Sequence, residues 1–377
     1  MQRVQLSEAR PGTRLGRSII TEDGRVLLPS GVELTEAYIR SLRSHGIESI
    51  YLLPPELITA PSQEVVSPQV RQELTGEMRQ VMGDISVSYH KASRGLKFPS
   101  VAFQTEGLKR AVDRVVSEVL ANPRALITLQ NIRQVDEYTM LHSIEVCILA
   151  VMVGNALGLS RTSLGELALA ALLHDIGKTG IPLEILNKPE RLTPEETAIM
   201  NRHTSLGWAL LRSQREISEE TAIVALQHHE RFAGGGYPLN LAGEQIHRYA
   251  RVCAVVDVYD ALTADRIYRR GLTPAEAIDL MAGPMSPGFE PDVLEAFLSC
   301  VAPYPLGLLV ELSDGRTGQV VGIDQRRMDR PRILVTEEAG GRAPAEPYAV
   351  DLREEPALQV LRRRVDGESE LLEEAAN

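Results

Sequence analysis

The spacing of apolar residues changes texture along the chain. Up to about residue 60, short apolar runs alternate with turn residues. Runs at 14–20 and 25–28, on either side of Glu22-Asp23-Gly24, predict strands; 35–45, with Ala37, Ile39 and Leu42, predicts a helix ended by Gly46; 47–53 predicts another strand before Pro54-Pro55. From 60 to about 99, Ser, Gln and Glu with scattered Gly and Pro dilute the pattern. A weak helical period at Val70, Leu74, Met78 and Val81 predicts one helix inside a linker.

From 105 to about 301 the helical period dominates. An amphipathic helix is expected at 105–120, then one opened by Asp136 and stopped at Gly158. Ser163 with Glu166 three residues on reads as a capping box for the helix that delivers His174-Asp175. Thr193-Pro194-Glu195-Glu196 opens the helix carrying His203, and Ser218 opens the one ending in His228-His229-Glu230. Residues 249–264 bear Asp257 and Asp260, and Thr273-Pro274-Ala275-Glu276 opens a further helix. From Tyr304 alternation returns around Ser313-Asp314-Gly315, predicting strands at 308–312, 319–323 and 333–336. The expected fold is mainly α: a helical bundle at 106–302, a small N-terminal α/β module at 1–60, a linker with a helix at 61–105, and an antiparallel β module with a charged tail at 303–377.

Composition sharpens this picture. Over 377 residues, 44% hydrophobic content with only 4% aromatic suits helices packed through small aliphatic side chains. A net charge of −11 argues against binding to nucleic-acid polymers or anionic membranes, while leaving room for a local basic pocket. Cys147, Cys253 and Cys300 lie far apart in apolar surroundings, as buried thiols do in a reducing compartment. The N-terminus lacks the apolar core of a signal peptide, and the apolar stretch 146–159 is too short to cross a bilayer, so a cytoplasmic protein is expected.

The chemistry centres on His174-Asp175-Ile176-Gly177-Lys178. A carboxylate at the end of a buried helix is costly unless a cation or several donors receive it. Alone, such a dipeptide would read as a turn-capping acid beside a core imidazole. His142, His203, His228, His229 and Asp257, each expected on a helix, change that reading, because bundles build metal sites in this way. Seven imidazole and carboxylate groups exceed what one ion needs; two divalent cations about 3.5–4 Å apart, bridged by Asp175, would use them and suit phosphoester hydrolysis. Asp260, on the same face as Asp257, is expected to orient a ligand, and Lys178 to meet a phosphate or protonate a leaving alkoxide.

The ordered motifs His174-Asp175-Ile176-Gly177-Lys178, His203-Thr204-Ser205-Leu206-Gly207, His228-His229-Glu230 with Gly236-Tyr237-Pro238, and Asp257-Val258-Tyr259-Asp260-Ala261-Leu262-Thr263 resemble the HD-GYP family. These are cyclic di-GMP phosphodiesterases of the HD hydrolase superfamily, and the resemblance covers roughly 110–300. It implies an HD-type bundle, with His142, His174, Asp175 and Asp257 on one metal and Asp175, His203, His228 and His229 on the other, iron or manganese being expected. It further implies catalytic roles for Asp175 and Lys178, and a substrate side made of Lys178, Tyr237, Arg266, Arg269 and Asp260. Arginine forks suit phosphate. Two departures stand out: Ala233 replaces the usual acid of the glycine loop, and Tyr138 stands where members with a third metal have Glu, Glu137 being one residue off. His247 is expected in a loop or on the surface.

The function so implied is hydrolysis of cyclic di-GMP to pGpG, with onward cleavage to GMP left open. Two other readings stand beside it: a regulatory module that binds cyclic di-GMP or a partner without hydrolysis, and an HD phosphodiesterase for another cyclic dinucleotide such as 3′,3′-cGAMP. A GGDEF-type partner docking through the Gly-Tyr-Pro loop, and a homodimer, are the protein partners considered.

Overall fold

A computed structural model describes residues 2–16, 19–20, 26–28, 31–45, 47, 49–53, 65–91, 103–122, 138–188, 190–264 and 271–361. Outside them fall the Glu22-Asp23-Gly24 turn, Pro54-Pro55, Asp136 and Glu137, the arginines Arg266 and Arg269, and most of the charged tail.

The N-terminal elements are β1 (Gln2–Gln5), β2 (Arg14–Leu15), β3 (Ile19–Ile20), β4 (Val26–Leu28), α1 (Glu36–Ser44) and β5 (Ser49–Leu53). β1 and β2 flank β5 antiparallel, and β3 pairs with β4. The run expected as one strand at 14–20 is two short ones. Thr35 caps α1, its hydroxyl accepting from the Tyr38 N–H at 3.2 Å. Ile39 and Leu42 then bury their side chains with Leu15 and Ile50 in a core of their own.

The helical part follows as α2 (Pro68–Lys91), α3 (Glu106–Ala121), α4 (Tyr138–Ala156), α5 (Arg161–Leu173), a three-ten turn at Ile176–Gly180, α6 (Leu183–Leu186), α7 (Pro194–Met200), α8 (His203–Arg212), α9 (Glu219–Gln227), α10 (Arg248–Thr263), α11 (Pro274–Ala282) and α12 (Pro291–Cys300). α4 and α5 are apolar around most of their circumference and lie at the centre, which is where such helices must sit. α2, expected inside a linker, instead belongs to this core. Val70, Leu74, Met78, Val81 and Ile85 are at most 2% exposed, and each fully buried aliphatic chain contributes about 1.5–3 kcal/mol. Arg71 of α2 also pairs with Glu145 of α4, and Glu118 of α3 receives the Ser67 N–H and hydroxyl at 2.6 and 2.8 Å.

Two helix starts differ from expectation. α5 is capped by Ser160, whose hydroxyl accepts from the Ser163 N–H at 3.2 Å, and Glu166 instead accepts from the Tyr249 hydroxyl at 3.1 Å. The helix begun by the Thr193–Glu196 capping box ends at Met200, and α8 starts afresh at His203. The break matters because it places His203 at a helix end, where its ring can turn back to the Met200 carbonyl.

β6 (Leu309–Glu311), β7 (Thr317–Gly322), β8 (Arg332–Glu337) and β9 (Tyr348–Asp351) form an antiparallel sheet in sequence order. Val310, Val320, Ile333, Val335 and Val350 share its buried face, joined by Ala275 of α11. No helix among the described residues is long and apolar enough to cross a membrane.

Candidate metal centre

Five separate helix ends and faces deliver the donors. His142 comes from the first turns of α4, His174 caps the C-terminus of α5 with Asp175 following it, and His203 opens α8. His228 caps α9 with His229 next, while Asp257 and Asp260 lie within α10. Gly177 permits the meeting. A Cβ there would stand 1.9 Å from the His203 carbonyl oxygen and 2.5 Å from the Gly207 nitrogen, so only glycine lets the turn after Asp175 seat against the start of α8.

The Asp175 carboxylate faces both ways. Its Oδ2 lies 3.4 Å from His174 Nε2 and 3.8 Å from His142 Nε2, and its Oδ1 lies 3.4 Å from His203 Nε2 and 3.7 Å from His228 Nε2. Asp257 Oδ1 is 3.0 Å from His142 Nε2 and 3.9 Å from His174 Nε2. His203 and His228 bring their Nε2 atoms to 3.3 Å. Among the described residues three donor groups overlap: Asp175 with His203, His228 and His229; Asp175 with His142 and His174; and Asp257 with His174 and His228, Asp257 also reaching His142.

These residues fit divalent metal ions. The Nδ1 atoms of His174, His203 and His228 meet the carbonyl oxygens of Ala171, Met200 and Val224 at 2.7, 2.8 and 3.1 Å, so each ring donates backwards and turns Nε2 to the centre. His174 Nε2 and Asp175 Oδ1 are buried without a hydrogen-bond partner. A cation about 2.1 Å from each donor sets neighbouring donors about 3.0–3.4 Å apart, which is the spacing of the shorter contacts here. Oxygen and imidazole donors suit first-row divalent ions.

In the absence of metal the electrostatics keep the donors around His203 ready for a cation, while His142 holds a proton between two carboxylates. Burial pushes His203 down to about 3, and it likewise depresses His228 and His229, leaving neutral imidazoles. Burial opposes ionisation of Asp175, but Lys178, with Nζ 2.6 Å from Oδ2, and then His174 hold its carboxyl well below the ordinary range. Asp257 is depressed against burial by its hydrogen bond to His142. His142 itself is raised to about 10, since hydrogen bonds to Asp257 and Asp260 outweigh its burial.

Asp260 takes the orienting role expected of it and not the substrate contact: it is 2% exposed, and its Oδ2 accepts from His142 Nδ1 at 2.6 Å, so it lies behind a metal donor and orients it. Lys178 lies at the rim, its side chain 26% exposed, as does Asp257 at 12%. Tyr237 stacks on His229 with ring centroids 4.6 Å apart and planes at 22°, so one of its faces is already occupied. Arg266 and Arg269 fall outside the described residues. His247 is not a bare loop residue: its Nδ1 accepts from the Tyr249 N–H at 3.2 Å and caps α10.

The glycine loop holds its shape without the missing acid. Phe232 and Ala233 donate backbone N–H groups to the carbonyls of Gly288 and Pro287 at 2.9 and 3.1 Å, and Gly243 N–H returns to Phe232. A Cβ on Gly236 would stand 2.5 Å from Glu230 Cα and Arg231 N and 2.6 Å from the His229 carbonyl oxygen, so this glycine presses the loop onto the backbone at 229–231. Sequence reasoning overlooked two residues here. Glu230, 1% exposed, accepts from the N–H groups of Leu239 and Leu241. Arg231 is depressed by burial, with the charge of Asp257 opposing. An acid adjoining paired metal-donor histidines was the available signal for the first.

Comparison with known proteins adds the following. Residues 114–287 match the family described as HD domain. The chain is 42% identical over 251 residues to the cyclic di-GMP phosphodiesterase PA4108 of Pseudomonas aeruginosa, covering 67% of this chain and 60% of that protein. It is 41% identical over 150 residues to the cyclic di-GMP phosphodiesterase response regulator RpfG of Xanthomonas campestris, covering 40% of each. It is 34% identical over 161 residues to the 3′3′-cGAMP-specific phosphodiesterase 2 of Vibrio cholerae, covering 42% of this chain and 31% of that protein. The chain therefore spans 60% or less of the length of each of these relatives.

Proposed function

We propose, from the match of residues 114–287 to the HD-domain family and from the donor geometry, that the chain hydrolyses cyclic di-GMP to linear pGpG with the aid of two divalent ions, iron or manganese. The observation that carries this reading is the two-sided Asp175 carboxylate, with Oδ1 toward His203 and His228 and Oδ2 toward His142 and His174. His142, His174, Asp175 and Asp257 would hold one ion, and Asp175, His203, His228 and His229 the other. When bound, such ions supply Lewis-acid polarisation of a phosphoryl oxygen and lower the pKa of an attacking water.

The chain's own residues do the rest. Asp260 keeps His142 in the orientation that presents Nε2 inward. Lys178 at the rim takes a non-bridging phosphate oxygen or gives a proton to the departing 3′-oxygen. In the balanced reaction water adds to phosphorus, the P–O3′ bond breaks, and a proton ends on the 3′-hydroxyl. Tyr237, supported from beneath by His229, offers its other face to a purine. Arg266 and Arg269 remain proposed phosphate contacts.

A second reading has an observation behind it. Part of the chain is similar to a phosphodiesterase named for 3′3′-cGAMP, so that dinucleotide belongs in the same assay. Leu239, 53% exposed on the Gly-Tyr-Pro loop, is the point at which we place docking of a GGDEF-type partner. The test is to incubate full-length, metal-loaded protein under reducing conditions with cyclic di-GMP, 3′,3′-cGAMP and pGpG, following products by chromatography. Formation of pGpG from cyclic di-GMP supports the proposal; binding without product would turn it into the regulatory reading.

A further inference from the structure

The loop at 231–241 has little conformational preference of its own. Three consecutive glycines run through it, and Gly234 and Gly235 adopt φ of +86° and +82°. Such a segment samples many shapes unless it is tethered. Glu230 supplies the tether: its Oε1 accepts from the Leu239 N–H at 2.7 Å and its Oε2 from the Leu241 N–H at 2.8 Å. Both partners are donors, so both oxygens must be acceptors, which an ionised carboxylate provides and an amide does not. Two charge-assisted bonds also explain how an acid at 1% exposure is tolerated. Asn240, at φ +53°, adds a cross-brace by accepting from the Gly235 N–H at 2.8 Å through its side-chain oxygen.

We infer that Glu230 is a positioning residue for substrate turnover, acting through Tyr237: it fixes the return limb of the loop so that the Tyr237 ring lies flat on His229 beside the metal cluster. Tyr237 stands between the glycines and the two tethered amides, and its own N–H reaches the His229 carbonyl at 3.3 Å. The ring is therefore placed from both sides, with the longer of these contacts on the glycine side. The kinetic part of this inference rests on the hydrolase reading above; the structural part does not.

The test uses the full chain with Glu230→Gln, which keeps size and shape but offers an N–H₂ where one N–H must be accepted. Without any substrate, backbone hydrogen exchange at 237–241 should quicken by about tenfold or more while α4 and α5 remain protected, the change expected from losing one charge-assisted bond. With cyclic di-GMP, the Michaelis constant should rise about tenfold with a smaller change in kcat, because placement is lost and the metal donors are kept. In a Tyr237→Ala background the same substitution should add less than about twofold, since the two residues act in series. Should Glu230→Gln fail to fold, Glu230→Asp, which keeps both acceptors on a shorter arm, should show the same local exchange increase to a smaller degree. Unchanged exchange at 237–241 overturns the tether. Effects of Glu230→Gln and Tyr237→Ala that multiply independently overturn the action through Tyr237. A wild-type chain that turns over no dinucleotide refutes the hydrolase reading alone, and the exchange result still decides the tether.

Discussion

His203 and His228 point their Nε2 atoms at one another across 3.3 Å, although neither can donate to the other. Each ring uses its Nδ1 hydrogen on a backbone carbonyl, and burial keeps both neutral. Two lone pairs so arranged repel unless a cation takes both, with Asp175 Oδ1 at 3.4 and 3.7 Å completing the set. Metal analysis of variants should therefore divide along this line. His203→Ala or His228→Ala should lower metal content by about one ion per chain, and Asp175→Ala should lower it by about two. Equal loss in all three variants would point to a single shared ion.

Asp260 is expected to matter for affinity. Asp260→Asn removes the charge that holds the His142 Nδ1 hydrogen at 2.6 Å. Loss of such an outer carboxylate typically lowers metal affinity or activity by about 10–100-fold. Competition with a chelator measures it; an unchanged affinity would remove Asp260 from the metal centre's support.

Close backbone approach at the Asp175 turn gives a stability prediction. Gly177→Ala forces a Cβ to within 1.9 Å of the His203 carbonyl oxygen, and overpacking of this kind costs about 1–3 kcal/mol or more. Gly165→Ala in α5 is the control, because a Cβ there meets nothing within 4 Å and alanine favours the helix by about 0.5–1 kcal/mol. Thermal melts should move in opposite directions for the two variants. A neutral Gly177→Ala would show that the turn and α8 are not in tight register.

With metal chelated, stability should peak near pH 6.5. His203, lowered from 6.5 to about 3, binds fewer protons folded than unfolded in that window, so stability falls as pH drops from 6.5 toward 3; His228 and His229 act in the same direction. Asp175 and Asp257, depressed below 3.8, add to the acid loss. His142, raised from 6.5 to about 10, contributes fully below 6.5 and loses that contribution as pH rises toward 10. Melts in chelator from pH 4 to 10 should show both limbs, and His142→Gln should flatten the alkaline one. A wild-type profile flat between pH 7 and 10 would contradict the His142–Asp257 pairing.

The helical architecture was readable because its caps are local signals. Thr193 and Thr273 do open helices, with Glu196 and Glu276 closing their capping boxes. Where two candidates lay close together, local pattern misled: Ser160 caps α5 and Ser163 does not, because Glu166 is taken by Tyr249 across the bundle. α2 looked like linker because its polar face dilutes the period, yet Val70, Leu74 and Met78 find α3 and α4, which only tertiary packing reveals. β9 was missed since Val350 is its single buried residue. At the centre, the motif order suggested which donors would meet, and His142, His174, Asp175, His203, His228, His229 and Asp257 do gather in overlapping sets. Asp260 orients a donor as its place on the Asp257 face suggested, whereas the role of Glu230 as an acceptor for two distant amides depends on side-chain direction that motif spacing does not encode.

The claim on which the rest depends is that Asp175 bridges two cations. Anomalous diffraction from crystals of the full chain grown with manganese, recorded on both sides of its absorption edge, tests this without reference to turnover. The account predicts two peaks flanking the Asp175 carboxylate, one bounded by His142, His174 and Asp257 and the other by His203, His228 and His229. A single peak, or none within bonding reach of Asp175, would contradict it.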